Sequence, residues 1–176
     1  MTSVVVPVES LPDAFGTALR LGDEVTVAWW NVHYIPFLLA ATVTKLRTIQ
    51  CRPSIVVDPL DETEPMLGGG SARPGRILSC RPPLVVAHTS TGAGEGSALA
   101  HRDAHGRALA AGDRVGFVFS GEHRLYAWAR GTVEAEKGDH LVVVPDATWQ
   151  LEGYAQRVTP GVRYSWAPKM LVRLSS

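Results

Sequence analysis

A thirteen-residue pattern occurs twice in this chain, 90 residues apart, and it limits what the chain can fold into. Residues 13–25 and 103–115 share the form D-A-x-G-x-A-L-x-x-G-D-x-V. The offset of 90 continues without a gap as far as residues 43 and 133, with 11 identities in the 31 positions from residue 13. Matches at a fixed spacing are the mark of an internal repeat. The 176 residues therefore hold two small related units.

A second block of matches recurs at an offset of 86. It pairs Pro74, Ser79, Pro82 and Val86 with Pro160, Ser165, Pro168 and Val172. The first half therefore carries four extra residues, which we expect in residues 47–53 or in the glycine loop 68–70. The matches predict an N-terminal segment (residues 1–12), a first unit (13–88), a Gly/Ser-rich linker (89–102) and a second unit (103–176).

Both units alternate apolar and polar residues after the Gly-Asp turn. The apolar positions are Val25, Val27 and Trp29 in the first unit and Val115, Phe117 and Phe119 in the second. A period of two indicates a strand with one buried face, and helical periodicity is nearly absent. About 75 residues are too few for an immunoglobulin sandwich but suffice for a five-stranded barrel. We predict an all-β chain made of two duplicated small antiparallel barrels, with Trp29 in the core.

The start of each unit also carries a family resemblance. The G-D-x-V motif is followed 19 residues later by Ala41-Thr42-Val43 in the first unit and by Gly131-Thr132-Val133 in the second. This pair of motifs resembles the first hairpin of the SH3-like barrels of the Tudor-like and KOW-like families. The resemblance covers about 30 residues of each unit and implies an SH3-like fold. The basic loop of KOW units is missing and the first loop is longer than in Tudor units, so the resemblance implies no particular ligand.

Charge and cysteine content exclude several classes of protein. Seventeen Lys and Arg residues balance seventeen Asp and Glu residues, whereas a general polyanion binder needs a basic excess. Two cysteines do not make a disulfide scaffold. The N-terminus lacks the pattern of a signal peptide, and the longest apolar run is far too short to span a bilayer. We expect a cytoplasmic protein that does not associate with membranes.

Aromatic residues are the first candidate binding site. Tyr126 and Trp128 lie two residues apart, as do Tyr164 and Trp166, so the rings of each pair share a sheet face. If the neighbouring alanines face inward, these four rings point outward and can bind a partner protein, stack bases or hold a methylated cation. The alternative is that they are buried between the two halves. The predicted partner-binding set is Trp30, Tyr34, Tyr126, Trp128, Tyr164 and Trp166.

Cations around the two Pro-Gly blocks are the second candidate. They are Arg73, Arg76, Arg81, Arg163, Lys169 and Arg173, while the acids cluster elsewhere in the sequence. A protein of zero net charge can therefore still present one basic face, and these residues would be its nucleic-acid contacts. The other interpretation is ordinary solvated charge.

The sequence contains no assembled catalytic or metal-binding set. His33 and His123 match at the offset of 90 and suit a structural role in the first loop. His101 and His105 lack the glutamate of a zinc-protease helix, and Cys51 and Cys80 are expected to be inert thiols. We predict no catalytic residue, no metal and no cofactor.

The resulting prediction is a non-enzymatic interaction module that binds a protein partner, as an adaptor or inhibitor within a larger complex. One alternative is a DNA- or RNA-binding protein that uses the arginine-bearing face with aromatic stacking. A second alternative is a small enzyme with its site between the repeats. The sequence predicts no particular oligomeric state.

Overall fold

The computed structural model describes residues 4–31, 33, 36–63, 66, 70–87, 98–120, 126–150 and 157–174. In these residues the structure consists of strands, turns and short 3-10 segments, so the all-β prediction is confirmed. The chain divides into two compact units, Met1–His88 and Thr89–Ser176. We refer to them as unit 1 and unit 2.

Unit 1 is built on one antiparallel sheet. Its described strands are β1 (Val5–Pro7), β2 (Leu11–Pro12), β3 (Ala18–Leu19), β4 (Glu24–Trp30), β5 (Pro36–Ile49), β6 (Arg52–Pro59), β7 (Leu78–Cys80) and β8 (Val85–Ala87). The strand order is β7-β6-β5-β4-β8, and β1 pairs with the far end of β5. A 3-10 turn at Pro82–Leu84 precedes β8 and lets the last strand return beside β4.

Unit 2 has the same strand order in its main sheet. Its described strands are β9 (Ala98–Arg102), β10 (Ala108–Ala110), β11 (Arg114–Ser120), β12 (Tyr126–Lys137), β13 (His140–Pro145), β14 (Trp149–Gln150), β15 (Arg157–Val158), β16 (Tyr164–Trp166) and β17 (Leu171–Arg173). The order β16-β13-β12-β11-β17 repeats that of unit 1, and a 3-10 turn at Pro168–Met170 again precedes the last strand.

The hairpin between the two longest strands holds the four extra residues of the first half. In unit 1 Thr42 pairs with Asp58, sixteen residues further on, whereas in unit 2 Thr132 pairs with Val144, twelve further on. Both hairpins have a β-bulge one residue after the position of Val43 or Val133. The β5–β6 hairpin is therefore longer by two residues in each strand, which settles the choice between the two sites expected from the sequence.

Each unit has its own hydrophobic core on one face of the sheet. Val25 and Val27 of unit 1 and Val115, Phe117 and Phe119 of unit 2 belong to these cores, as their alternation indicates. Trp29 is half-buried against the core of unit 1. Burying these apolar side chains is the main stabilising contribution to units of this size.

Three segments outside the predicted units take part in strands, and one of them, Leu11–Pro12, pairs with Ala18–Leu19. Val5–Pro7 lies in the predicted N-terminal segment and pairs with residues 47–49 of β5. Ala98–Arg102 lies in the predicted linker and pairs with Ala108–Ala110. The linker prediction rested on the glycines and serines of its front part, and residues 89–97 lie outside the described residues.

The repeated D-A-x-G motif makes the same hydrogen bonds in both units. Asp13 Oδ1 accepts from the backbone N–H of Phe15 and Thr17, both at 2.8 Å, and its Oδ2 accepts from Ala87 N–H in the last strand. The corresponding carboxylate in unit 2 is Asp103, which accepts from the equivalent amides. A buried carboxylate thus ties the first turn of each unit to its last strand.

Candidate functional site

The structure does not bring the four aromatic rings of unit 2 together on one outward face. Tyr164 and Trp166 pack against the core of unit 2, and the Trp166 ring lies 5.3 Å from that of Phe117, centroid to centroid. Trp128 lies on the opposite face from Ala129 and is only 4% exposed. The expected outward direction is therefore wrong for Tyr164 and Trp166, because a period of two shows that two rings share a face but not which face. Trp128 does lie on the face opposite the inward alanines, as expected, but its ring is buried.

Of the remaining aromatic residues of the predicted set, Trp30 ends β4 and the backbone of Tyr126 begins β12. Trp30 is half-buried and stacks on Trp29, with the ring centroids 5.6 Å apart and the planes 17° from parallel. Tyr34 and the side chain of Tyr126 lie outside the described residues. In unit 2 the position of Trp30 is Ser120, so this indole pair is a property of unit 1.

Three of the six predicted cations form hydrogen bonds or ion pairs within the protein. Arg173 forms a hydrogen bond to the Ala108 carbonyl and lies 3.4 Å from the Asp113 carboxylate, where only 11% of its side chain is exposed. Arg163 makes two bonds to Glu134, at 2.5 and 2.6 Å. Arg76 Nη1 donates to the Ser71 carbonyl. Arg73, Arg81 and Lys169 are exposed, as are Arg76 and Arg163 despite their hydrogen bonds.

The Arg163–Glu134 pair lies on the surface of unit 2. The hydrogen bonds from Arg163 are the main cause that lowers the pKa of the Glu134 carboxyl, and its charge adds to them. Glu134 in turn raises the pKa of Arg163. An arginine held in a bidentate pair offers fewer donors to a phosphate, so the basic face is weaker than the sequence suggests.

A groove in unit 1 is the binding feature that the sequence did not predict. It is a cavity of about 320 Å³ between β1, the turn before β4 and the bulged part of β5. Its lining residues are Val5, Pro7, Val8, Leu21, Thr44, Lys45, Leu46 and Arg47. We call this feature the β1 groove. Its position follows from the longer β5–β6 hairpin, because the extra length gives β1 a strand to pair with.

Two exposed apolar side chains, Val5 and Leu21, line the β1 groove, and the exposed Val4 and Val6 flank Val5 in the chain. Seven large apolar side chains are exposed in the described residues, and four of them are Val4, Val5, Val6 and Leu21. Val4 is 69% and Leu21 is 62% exposed. Exposed apolar residues that occur singly are ordinary, whereas a group next to a cavity is typical of a binding surface.

Two cations form the polar part of the β1 groove. Lys45 is exposed and Arg47 is half-buried, and neither forms an ion pair with a described residue. Arg47 Nε is buried with no hydrogen-bond partner in the described structure. A guanidinium has five donors, and an unsatisfied buried one costs about 1–3 kcal/mol. The lining therefore combines apolar side chains with positive charge that has no counter-charge in the groove.

The same surface of unit 2 has a different chemistry. At the offset of 90, Leu21 corresponds to Ala111, Lys45 to Ala135 and Leu46 to Glu136. At these three positions unit 2 thus has two alanines and one acid, whereas Arg47 corresponds to another cation, Lys137. One sequence signal pointed to the groove, since the apolar run Val4-Val5-Val6 precedes the first unit and has no place in its alternation.

The cysteines differ in accessibility. Cys80 is buried, and burial raises the pKa of its thiol to about 12. Cys51 is exposed at the tip of the β5–β6 hairpin, with a positive φ of 63°. Within the described residues no three histidine, cysteine or acidic side chains are grouped closely enough to hold a metal ion.

Among the described residues, no helix has the length and apolarity needed to cross a membrane. Comparison with protein families, curated proteins and solved structures finds no match for this chain. The candidate site therefore rests on the geometry of the β1 groove.

Proposed function

We propose that this protein is a non-enzymatic interaction module that binds a protein partner through the β1 groove of unit 1. The observation that carries the proposal is a cavity of about 320 Å³ lined by the exposed apolar side chains of Val5 and Leu21, with the exposed Val4 and Val6 adjacent in the chain. Covering apolar surface of this kind is the main favourable contribution to protein association. Unit 2, which lacks these side chains, serves as the built-in comparison.

The predicted aromatic set contributes less support than the groove. Trp128 is buried, and Tyr164 and Trp166 pack against their own core, so a partner cannot cover them without rearrangement. The nucleic-acid alternative is also weakened, because Arg163 and Arg173 are engaged with Glu134 and Asp113. The exposed cations without a bond described above, which are Arg73, Arg81 and Lys169, give only a modest phosphate-binding face.

The test compares capture of proteins from a native lysate by the full chain and by two variants. Leu21→Asp places a charge in the groove, and Ala111→Asp places the same charge at the matched exposed position of unit 2. The lysate is treated with nuclease before capture. We expect one protein that is retained by the wild-type chain and by Ala111→Asp and is lost from Leu21→Asp.

Two results would contradict the proposal. The first is equal capture by all three chains, which would move the binding surface away from the β1 groove. The second is recovery only of material that disappears on nuclease treatment, which would favour the nucleic-acid alternative.

A further inference from the structure

The charge of the β1 groove points to the chemistry of its partner. We propose that the groove takes an extended acidic segment of the partner protein, with an apolar side chain in the cavity and carboxylates on Lys45 and Arg47. This inference rests on the proposed function and specifies it further. Its first support is that the described residues of the groove lining include two cations and no acidic residue.

The position of Arg47 favours a carboxylate ligand. Arg47 pairs with Pro7 across the β1–β5 ladder, so its side chain emerges beside the apolar residues of β1. Its Nε has no acceptor in the described structure. A carboxylate can satisfy a guanidinium with two parallel hydrogen bonds, and such charge-assisted bonds are the stronger ones. Nε itself is buried, so an incoming acid contacts the other N–H groups of Arg47, and neither Arg47 nor Lys45 has an ion pair with a described residue that the acid would displace.

The size of the cavity limits what enters it. About 320 Å³ is at the small end of the range for ligand pockets, which is roughly 300–1,000 Å³. It accommodates a side chain of an extended segment and not the surface of a folded domain. The cations lie along β5 at alternate positions, so they share a face and can meet alternate residues of an extended chain.

The segment binds through its side chains and not by adding a strand to β1. Val8 N–H donates to the Leu46 carbonyl and Gln50 N–H donates to the Val4 carbonyl, so even-numbered residues of β1 bond to β5. The backbone polar groups of Val5 and Pro7 therefore point away from β5, toward the open edge of the sheet. Proline has no N–H group and is one of the means by which edge strands resist pairing.

The lining also argues against a nucleic acid as the occupant. Single-stranded nucleic acids bind through aromatic rings on which bases stack, and none of the residues that line the groove is aromatic. Exposed valines beside cations suit an acidic peptide that also carries apolar residues.

The experiment measures binding of synthetic peptides to the full chain by NMR titration. One probe is a six-residue peptide that alternates valine with glutamate, and the matched probe alternates valine with lysine. We expect the glutamate peptide to shift the amide signals of β1 and of residues 44–47, and the lysine peptide to bind at least tenfold more weakly. Equal binding of the two peptides, or shifts confined to unit 2, would overturn the inference.

Two charge-reversal variants form the second part of the peptide-binding experiment. Arg47→Glu is expected to weaken binding of the glutamate peptide about tenfold, since an attraction becomes a repulsion. Lys137→Glu, at the equivalent exposed position of unit 2, is expected to leave it unchanged. Unchanged hydrogen-exchange protection of the β5–β6 hairpin shows that Arg47→Glu folds. Unchanged affinity in a folded Arg47→Glu chain would overturn the inference.

The same variants separate this inference from the proposed function. If Leu21→Asp loses the partner captured from lysate while Arg47→Glu retains it, the groove binds a protein but not through acidic residues. If both variants retain the partner, the proposed function itself fails. Salt-sensitive binding to vesicles of anionic phospholipid, without binding of the glutamate peptide, would also overturn the acidic-peptide inference.

Discussion

Units 1 and 2 share the strand order of their main sheets and differ in the side chains around the repeated turn. In unit 1 the Asp13 carboxylate accepts hydrogen bonds from the backbone amides of Phe15, Thr17 and Ala87. In unit 2 the equivalent Asp103 also accepts from Arg107 Nε at 2.9 Å, and Arg107 Nη2 donates to the Arg173 carbonyl. The common geometry therefore needs the carboxylate and the amides, while the ion pairs are an addition that unit 1 does without.

The larger difference between the units lies in the hairpin. Two additional residues in each of β5 and β6 extend the sheet of unit 1, and β1 pairs with that extension. The β1 groove forms where β1 meets the bulge. The comparison shows how a short insertion in one copy of a repeated unit gives an additional strand a place to pair while the strand order stays the same.

The largest expected effect concerns the centre of each core. Phe117 of unit 2 and Val27 of unit 1 are equivalent and fully buried. Phe117→Ala should destabilise unit 2 by about 3–5 kcal/mol, and Val27→Ala should cost unit 1 about 2 kcal/mol, because the cavity left is smaller. Hydrogen exchange of peptides from each unit measures the two opening free energies separately. Equal losses of stability in the two units would contradict the expectation that the larger cavity costs more.

The second effect tests the carboxylates at the repeated turn. Asp103→Asn should destabilise unit 2 by about 3 kcal/mol, because it leaves Arg107 without its buried counter-charge. Asp13→Asn should cost unit 1 about 1–2 kcal/mol, because only bonds to neutral amides are weakened. The same hydrogen-exchange experiment measures the loss of stability in both units. A greater loss in unit 1 than in unit 2 would contradict the role given to the ion pairs.

The third effect concerns the tips of the two hairpins. Gln50 and Cys51 both have positive φ, at 50° and 63°, whereas the unit 2 turn has Gly138 at 64°. Cys51→Gly should therefore stabilise unit 1 by about 0.5–1 kcal/mol, and Gly138→Ala should destabilise unit 2 by about 1 kcal/mol. Protection of the amides in β6 and β13 provides the measurement. Loss of protection in Cys51→Gly would contradict the strain assigned to this turn.

The smallest effect is the pH dependence of the surface pair in unit 2. The pKa of Glu134 is held below its ordinary value by Arg163. The pair's stabilisation is therefore present above the ordinary pKa of a glutamate and is lost as the pH falls through the lowered pKa of the folded state. NMR titration of the Glu134 carboxyl should show the low pKa, and Arg163→Ala should return it to the ordinary range. Unit 1 has Thr44 at this position and provides no such titration.

The sequence predicted the strands well because their causes are local. Apolar alternation set the buried faces of β4 and β11, and the offsets of 90 and 86 confined the insertion to two places. The direction of Tyr164 and Trp166 was missed, since Ser165 and not the rings faces solvent in that short strand. The β1 groove was missed because Val5–Pro7 pairs with residues more than forty positions away, which no local pattern indicates.

The most direct test of the central claim places a photo-crosslinking amino acid at position 21 in one chain and at position 111 in another. Both positions are exposed and precede the glycine of the same turn, so they differ in the surface around them and not in the backbone. Exposure of a nuclease-treated native lysate to light should give a defined protein adduct from position 21 and none from position 111. Adducts from position 111 alone, or the same adducts from both, would contradict the assignment of binding to the β1 groove.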